Sequence, residues 1–159
     1  PLRIQKNTLL ELEYNLMLFK LNLTRKSGKI QKDLKKNFKM GKISKSLIYK
    51  VQKITNQIKI CLLNGSVKEF GDLLDLSWQL KKKKNKKSTN QYVDKCYKVA
   101  RNNGALGGKL LGAGESGYLL IYSSPVYQKN IKDKLQALGA KFENFKFNEK
   151  GIEVWKTSK

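Results

Sequence analysis

Apolar side chains recur along this chain at two spacings, and the change between them divides it. From Lys42 to Leu63, Ile43, Leu47, Val51, Ile54, Ile58 and Cys61 step by three or four. That is the spacing of one helix face, and it predicts a long amphipathic helix that Asn64-Gly65 ends. Val67, Phe70, Leu73, Leu74 and Trp78 continue the period in a second helix, with Ser66 as the expected cap and Glu69 three residues on. Val93, Tyr97 and Ala100 mark a third, ended near Asn102-Asn103-Gly104. Ahead of these, Thr8 with Glu11 reads as a capping box opening a short helix through Tyr14. The run Leu16–Leu23 is apolar enough for a buried strand, and Arg25–Phe38 reads as a basic helix.

After Gly104 the period shortens. Lys109-Leu110-Leu111 and Tyr118–Ser123 read as strands on either side of a glycine-rich loop. Pro125 begins a helix with the stripe Ile131, Leu135 and Leu138, and Gly139 ends it. Lys141–Asn148 and Ile152–Lys156 are expected as closing strands, joined by a turn at Asn148–Gly151. The order is strand, several helices, two strands, helix, two strands. It predicts an α+β domain: an antiparallel sheet with helices packed on one side, spanning residues 1–159 as a single unit. No internal repeat or linker stands out.

Charge changes this picture less than its size suggests. The net charge is +22, from 34 Lys and Arg against 12 Asp and Glu. Only Arg3, Arg25 and Arg101 are arginines. The lysines are spread over the whole length, as in a general compositional drift, and a polyanion-binding surface is the competing reading. One local run, Lys81–Lys87, could be an anionic-ligand patch or simply a solvated helix end and loop; the bland reading is the simpler one. With no His in the chain, His-based general bases, Ser-His-Asp triads and most zinc sites are excluded. Cys61 and Cys96 are too few for a disulfide framework or a metal cluster, and no metal ligands are expected. There is no long apolar run and no visible signal peptide, so the expectation is a cytoplasmic protein without membrane contact. The sequence opens at Pro1 instead of Met, as a piece of a longer protein would.

The candidate chemistry sits in the loop. Gly112, Gly114 and Gly117 form G-x-G-x-x-G. A dinucleotide fold would place these glycines between a strand and a helix, yet Gly117 leads into the strand pattern Tyr118–Tyr122. A protein kinase does place them between strands, but needs a catalytic-loop His, an Asp-Phe-Gly and a longer chain. The full stretch Gly107-Gly108-Lys109-Leu110-Leu111-Gly112-Ala113-Gly114, followed by Gly117-Tyr118-Leu119-Leu120, closely resembles the third motif of the GHMP small-molecule kinases. Within them it is most similar to the D-glycero-D-manno-heptose-7-phosphate kinase branch. Leu9–Phe19 with Arg25, Phe70–Leu74 with Trp78–Lys81, Thr89-Asn90 before Val93-Asp94, and the tail Phe145–Val154 carry the same resemblance.

The resemblance implies a ferredoxin-like fold, and it implies the C-terminal half of an ATP-dependent sugar kinase. The N-terminal half would carry the loop that wraps ATP, hold most of the ATP and Mg²⁺ and supply the catalytic acid, so no catalytic residue is expected here. The implied reaction is phosphoryl transfer to the anomeric hydroxyl of a sugar phosphate. The expected phosphate-binding loop is Gly112, Ala113, Gly114, Glu115, Ser116 and Gly117, with Arg25, Lys81 and Lys109 as candidate substrate contacts. Glycine suits such a loop because it tolerates positive φ and lets the backbone approach an anion. The family usually has glycine where this chain has Glu115 and Ser116, and a carboxylate beside a phosphate site is repulsive unless it faces water or a cation. The expected partners are the sugar phosphate and the N-terminal kinase domain, with no specific nucleic acid. A basic α+β module for nucleic acid, or an inactive kinase relative, are the alternatives.

Overall fold

The computed structural model describes residues 2–22, 44–112, 117–148, 150–152, 154 and 155. Five helices and four strands are ordered along the described chain as α1 (Lys6–Asn15), β1 (Leu16–Lys20), α2 (Lys45–Asn64), α3 (Val67–Lys84), α4 (Gln91–Asn102), β2 (Ala105–Leu110), β3 (Tyr118–Ser123), α5 (Pro125–Ala137) and β4 (Lys141–Glu143). The strands form one antiparallel sheet in the order β2-β3-β1-β4. With α4 leading into β2 and α5 joining β3 to β4, this is the ferredoxin-like arrangement expected from the resemblance. The basic helix expected over 25–38 lies outside the described residues.

The sheet divides two apolar clusters because successive strand side chains point to opposite faces. Met17 and Phe19 of β1 and Leu119 and Ile121 of β3 pack with Val93, Cys96, Tyr97 and Ala100 of α4 and Ile131 and Leu135 of α5. On the other face, Leu16, Leu120 and Tyr122 meet Leu12 of α1, Cys61 of α2, and Val67, Phe70 and Leu74 of α3. The additional helices therefore gather together on one face, and α4 and α5 cover the other. Helix α3 lies against the outer strand β2, with Trp78 reaching past it into the α4 cluster. That approach is close because it runs glycine against glycine. A Cβ on Gly107 would stand 1.9 Å from the Gly71 carbonyl oxygen.

Several boundaries differ from the expectation. Helix α1 starts at Lys6, so Thr8 lies within its first turns, buried, and does not cap it. Ser66 precedes α3 but its hydroxyl makes no cap bond; its carbonyl instead accepts from the Cys61 thiol at 2.7 Å. Side-chain caps are made by Ser44, which accepts from Leu47 N–H at 3.1 Å, and by Asn90, which accepts from Val93 N–H at 2.9 Å. Gly65 closes α2 in the left-handed region at φ 75°, as Asn64-Gly65 suggested. Strand β2 begins at Ala105, four residues earlier than expected, and β4 stops at Glu143. Ile152, Val154 and Trp155 are not in a strand.

Candidate functional site

The glycine loop joins β2 to β3, and the ladder fixes both of its ends. Beyond the strands, Leu111 N–H donates to Tyr118 O at 2.8 Å, and Gly117 O accepts from Leu21 N–H at 2.9 Å. Gly112 has φ 73° and Gly117 φ 126°, conformations that L side chains rarely adopt, so glycine is required at both hinges. Ala113, Gly114, Glu115 and Ser116 lie outside the described residues.

The other glycines of the motif have a different reason to be there. Gly107 and Gly108 are strand residues. A Cβ on Gly108 would meet Ile121 and the Leu120 carbonyl oxygen at 2.6 Å, and one on Gly107 would run into α3. Two of the five glycines from Gly107 to Gly117 are thus spent on packing the strand against its neighbours. Two hinge the loop, at Gly112 and Gly117.

Two of the sequence-nominated cations lie between α3 and β2, and one of them reaches the loop's first hinge. Lys81, in the last turn of α3, donates from Nζ to Leu110 O and to Gly112 O, both at 2.8 Å. Lys109, on β2, donates from Nζ to Ser77 Oγ at 2.9 Å. Burial, and after it the Lys109 charge, lowers Lys81 from 10.5 to about 8. Burial alone lowers Lys109. Among the described residues neither ammonium is paired with a carboxylate. The Trp78 ring lies 5.7 Å from Lys81 Nζ and 5.6 Å from Lys82 Nζ, so its face also looks toward positive charge. Lys82 itself is tied to Asp94 at 3.4 Å. The run Lys81–Lys87 is therefore not uniformly solvated: Lys81 and Lys82 turn inward, while Lys83, Lys84 and Lys87 are exposed. Arg25 lies outside the described residues.

Some supporting residues carried no signal that the sequence reading used. Tyr97 donates its hydroxyl to Asp75 Oδ1, which also accepts from Gln79 Nε2 at 2.9 Å. Burial and that carboxylate raise the Tyr97 hydroxyl's pKa. Arg101 donates to the carbonyls of Ala105, at 2.8 Å, and Leu106, pinning the irregular start of β2 where its register against β3 shifts. Asp75 stands one turn from Gly71 and from Trp78, on the buried stripe. A carboxylate in that phase needs a partner, and this was the available clue.

Backbone at a glycine hinge and two ammonium groups suit phosphate oxygens. Among the described residues no group of three or more His, Cys, Asp or Glu is placed to hold a metal ion. No described helix is long and apolar enough to cross a membrane.

Comparison with known proteins places this geometry. The chain is 29% identical over 160 residues to the D-glycero-alpha-D-manno-heptose 7-phosphate kinase of Campylobacter jejuni, covering 98% of this chain and 46% of that protein. A D-glycero-D-manno-heptose 1-phosphate kinase from Bacteriodes thetaiotaomicron has a similar fold, with TM-score 0.66 and 22% identity over all of this chain and 41% of its own. Mevalonate kinase from L. major superposes with TM-score 0.70 and 22% identity, covering 77% of this chain and 37% of that one. The chain thus spans less than half the length of each. The family model for the C-terminal region of GHMP kinases matches residues 58–141, from α2 through the glycine loop to β4, and the chain belongs to that family, of which it carries the C-terminal domain.

Proposed function

We propose that this chain is the C-terminal half of an ATP-dependent sugar kinase that phosphorylates a sugar phosphate, in the first place a heptose 7-phosphate, at the anomeric hydroxyl. The observation that carries the reading is the pair of half-buried lysines, Lys81 at the loop hinge and Lys109 against Ser77 one turn back on α3, with no carboxylate paired with either among the described residues. Burying two like charges together is unfavourable on both counts. A phosphate group placed at the loop reverses both terms, because it supplies the counter-charge and the remaining hydrogen-bond acceptors. Lys81 already holds two backbone carbonyls, so it shapes the hinge while lending its charge. Among the described residues Lys109 has a neutral hydroxyl as its partner, which it can leave to turn toward a substrate oxygen.

Phosphoryl transfer asks a protein mainly for positioning and charge stabilisation. In this reading the N-terminal half binds ATP with its Mg²⁺ and supplies the acid group. The present half contributes the loop Gly112–Gly117, with Lys81, Lys109 and, outside the described residues, Arg25 as sugar-phosphate contacts. Bound ATP supplies the transferred phosphoryl group; the residues here hold and orient the acceptor.

The test is an assay of the full-length polypeptide that carries this chain, with D-glycero-D-manno-heptose 7-phosphate and Mg-ATP. Formation of a 1-phosphate is expected, and Lys109→Met should raise KM for the sugar phosphate by about tenfold or more, roughly 1.4 kcal/mol. The reading would have to be abandoned if no heptose or hexose phosphate is a substrate. It would also go if Lys109→Met and Lys81→Met both leave KM unchanged in a folded enzyme.

A further inference from the structure

At the end of the sheet opposite the glycine loop, a cleft is lined by polar side chains with open hydrogen-bonding positions. Strand β2 enters the sheet just after Gly104, and β3 leaves it just before Ser124. With six strand residues at about 3.3 Å each, this end lies about 20 Å from the loop. The cleft holds about 580 Å³, a volume usual for small-molecule sites. Its most buried lining residues are Asn15 and Tyr122, 8% and 3% exposed. Asn15 donates from Nδ2 to Glu11 O at 2.8 Å, which leaves its Oδ1 as an open acceptor. Among the described residues no group bonds the Tyr122 hydroxyl. Burial, then Glu11 and Cys61, push that hydroxyl up to about 12, so it stays protonated. Ser124 stands at the N-cap of α5 without making a cap bond. Exposed Glu11 and Lys68 form the rim. Tyr127 forms a wall. A Cβ on Gly104, at φ 101°, would stand 2.4 Å from its Cγ and 2.7 and 2.8 Å from its Cδ atoms, so the ring lies face-on against the glycine. Polar side chains just outside the cleft are bonded to protein: Gln128 donates to Tyr14 O at 2.7 Å and Asn130 to Asn103 Oδ1 at 2.8 Å. Buried polar groups are ordinarily satisfied, so the open pair at Asn15 and Tyr122 calls for a partner.

We propose that this cleft is a ligand site separate from the glycine loop, and that it takes an uncharged, polyhydroxylated ring such as an unphosphorylated sugar. The lining chooses the class. An apolar ligand would strip water from the Tyr122 hydroxyl and Asn15 Oδ1 and return no hydrogen bond to either. A phosphate would find a carboxylate, Glu11, at the rim, and an acceptor, Asn15 Oδ1, among the buried groups. Hydroxyl groups suit both buried positions, because each donates and accepts. The C–H face of such a ring has Tyr127, Leu106 and Pro125 to pack on. At the rim, Glu11 and Lys68 offset each other in charge and add one acceptor and one donor. The proposal is independent of what the glycine loop holds.

Saturation-transfer NMR on the full-length polypeptide that carries this chain tests it. The probes are the methyl glycosides of D-glucose, D-mannose and D-galactose, whose blocked anomeric oxygen cannot accept a phosphoryl group. Transfer to the ring protons of at least one glycoside is expected at millimolar concentration. Tyr122→Phe and Asn15→Leu should each reduce it several-fold, and Lys81→Met with Lys109→Met should leave it unchanged. Tyr122→Phe removes a hydroxyl that no described group bonds, so without ligand its denaturation midpoint should be unchanged or higher. No transfer to any of the three glycosides overturns the proposal. So does transfer that survives both cleft variants; if it is lost with the two lysines, the glycoside sits at the loop. Displacement of the glycoside by L-serine or by inorganic phosphate would make the cleft a site for a zwitterion or an anion, and the ligand class would go. A lowered midpoint for Tyr122→Phe would give its hydroxyl a structural role and count against the site.

Discussion

Gly107 measures how much of the motif is architecture. Adding one methyl group there places it 1.9 Å from a backbone oxygen of α3, which can yield only if the helix moves away from β2. Gly107→Ala should destabilise the fold by about 1–3 kcal/mol, the usual range for overpacking a core. Gly151→Ala, whose Cβ would meet nothing within 4 Å, should leave the urea midpoint where it is. Equal midpoints for the two variants would show that the α3–β2 approach is loose. Lys81 gives a second test, through pH. Its ammonium is held to about 8 in the fold against 10.5 in the open chain, so between those values the unfolded state binds more protons and stability rises with pH. The partly buried Tyr92 and the buried Tyr97 and Tyr122 are shifted the other way, above 10. They stay protonated in the fold while unfolded tyrosines ionise, so stability falls again beyond about 10. Denaturation across this range should show a rise from about pH 8 that Lys81→Met flattens; an unflattened rise would move its origin to another group. At this scale the sequence was legible where backbone geometry demands a residue type, as at Gly112 and Gly117. It was less legible for Lys81, because a lysine run at a helix end reads as solvated. Yet Val67, Phe70, Leu74 and Trp78 step onto Lys81 in phase, and the stripe itself points that side chain inward.

Elements were legible in number and order and less so at their ends, and the ends have physical reasons. Thr8 and Ser66 each carry the side chain of a cap with a glutamate three residues on, and neither caps. Thr8 is buried within α1, and Ser66 sits in the tight Gly65 turn, where its carbonyl takes the Cys61 thiol proton. A capping box specifies side-chain chemistry; whether the backbone adopts the extended cap conformation is decided by the preceding turn. Ser66 has ψ 59°, against 175° at Asn90, where the cap bond does form. Removing the two side chains should therefore have unequal effects. Asn90→Ala should lose about 1 kcal/mol of stability, since α4 fills the core with Val93, Cys96, Tyr97 and Ala100. Ser66→Ala should lose almost none. Thermal denaturation of the two variants decides it, and similar losses would mean that Ser66 supports α3 by some other contact. The first closing strand forms only over Lys141–Glu143, and the second does not form at Ile152, Val154 or Trp155. Alternation marks Ile152 and Val154 as strand-forming, but a strand also needs an edge to pair with, which alternation alone does not supply.

The whole molecule carries +22, and its cations fall into two physically separate populations. Most are surface lysines spread along the chain, a few neutralised locally, as by Lys129–Asp133 at 2.7 Å and Lys141–Glu143 at 3.2 Å. Lys81, at the loop hinge, and Lys109, between β2 and α3, are partly withdrawn from solvent. Surface charges attract any polyanion by releasing its counterions, with an affinity that falls steeply as salt rises and no preference for sequence. Half-buried charges are screened much less. The isolated chain should therefore bind a mixed-sequence oligonucleotide at low salt and release it by about physiological ionic strength, where the Debye length is about 8 Å. A Lys81→Met, Lys109→Met double variant should show the same oligonucleotide curve, because it removes two of 34 cations and not the exposed ones. The same variant should abolish the extra stability that inorganic phosphate gives over chloride at equal ionic strength. On the proposed reading, phosphate held at the hinge would stabilise the fold by mass action beyond general screening. Anisotropy titrations and paired denaturation curves read both effects. Oligonucleotide affinity that survives physiological salt, prefers one sequence and is lost in the double variant would mean the hinge lysines serve nucleic acid. The basic-module reading would then displace the kinase.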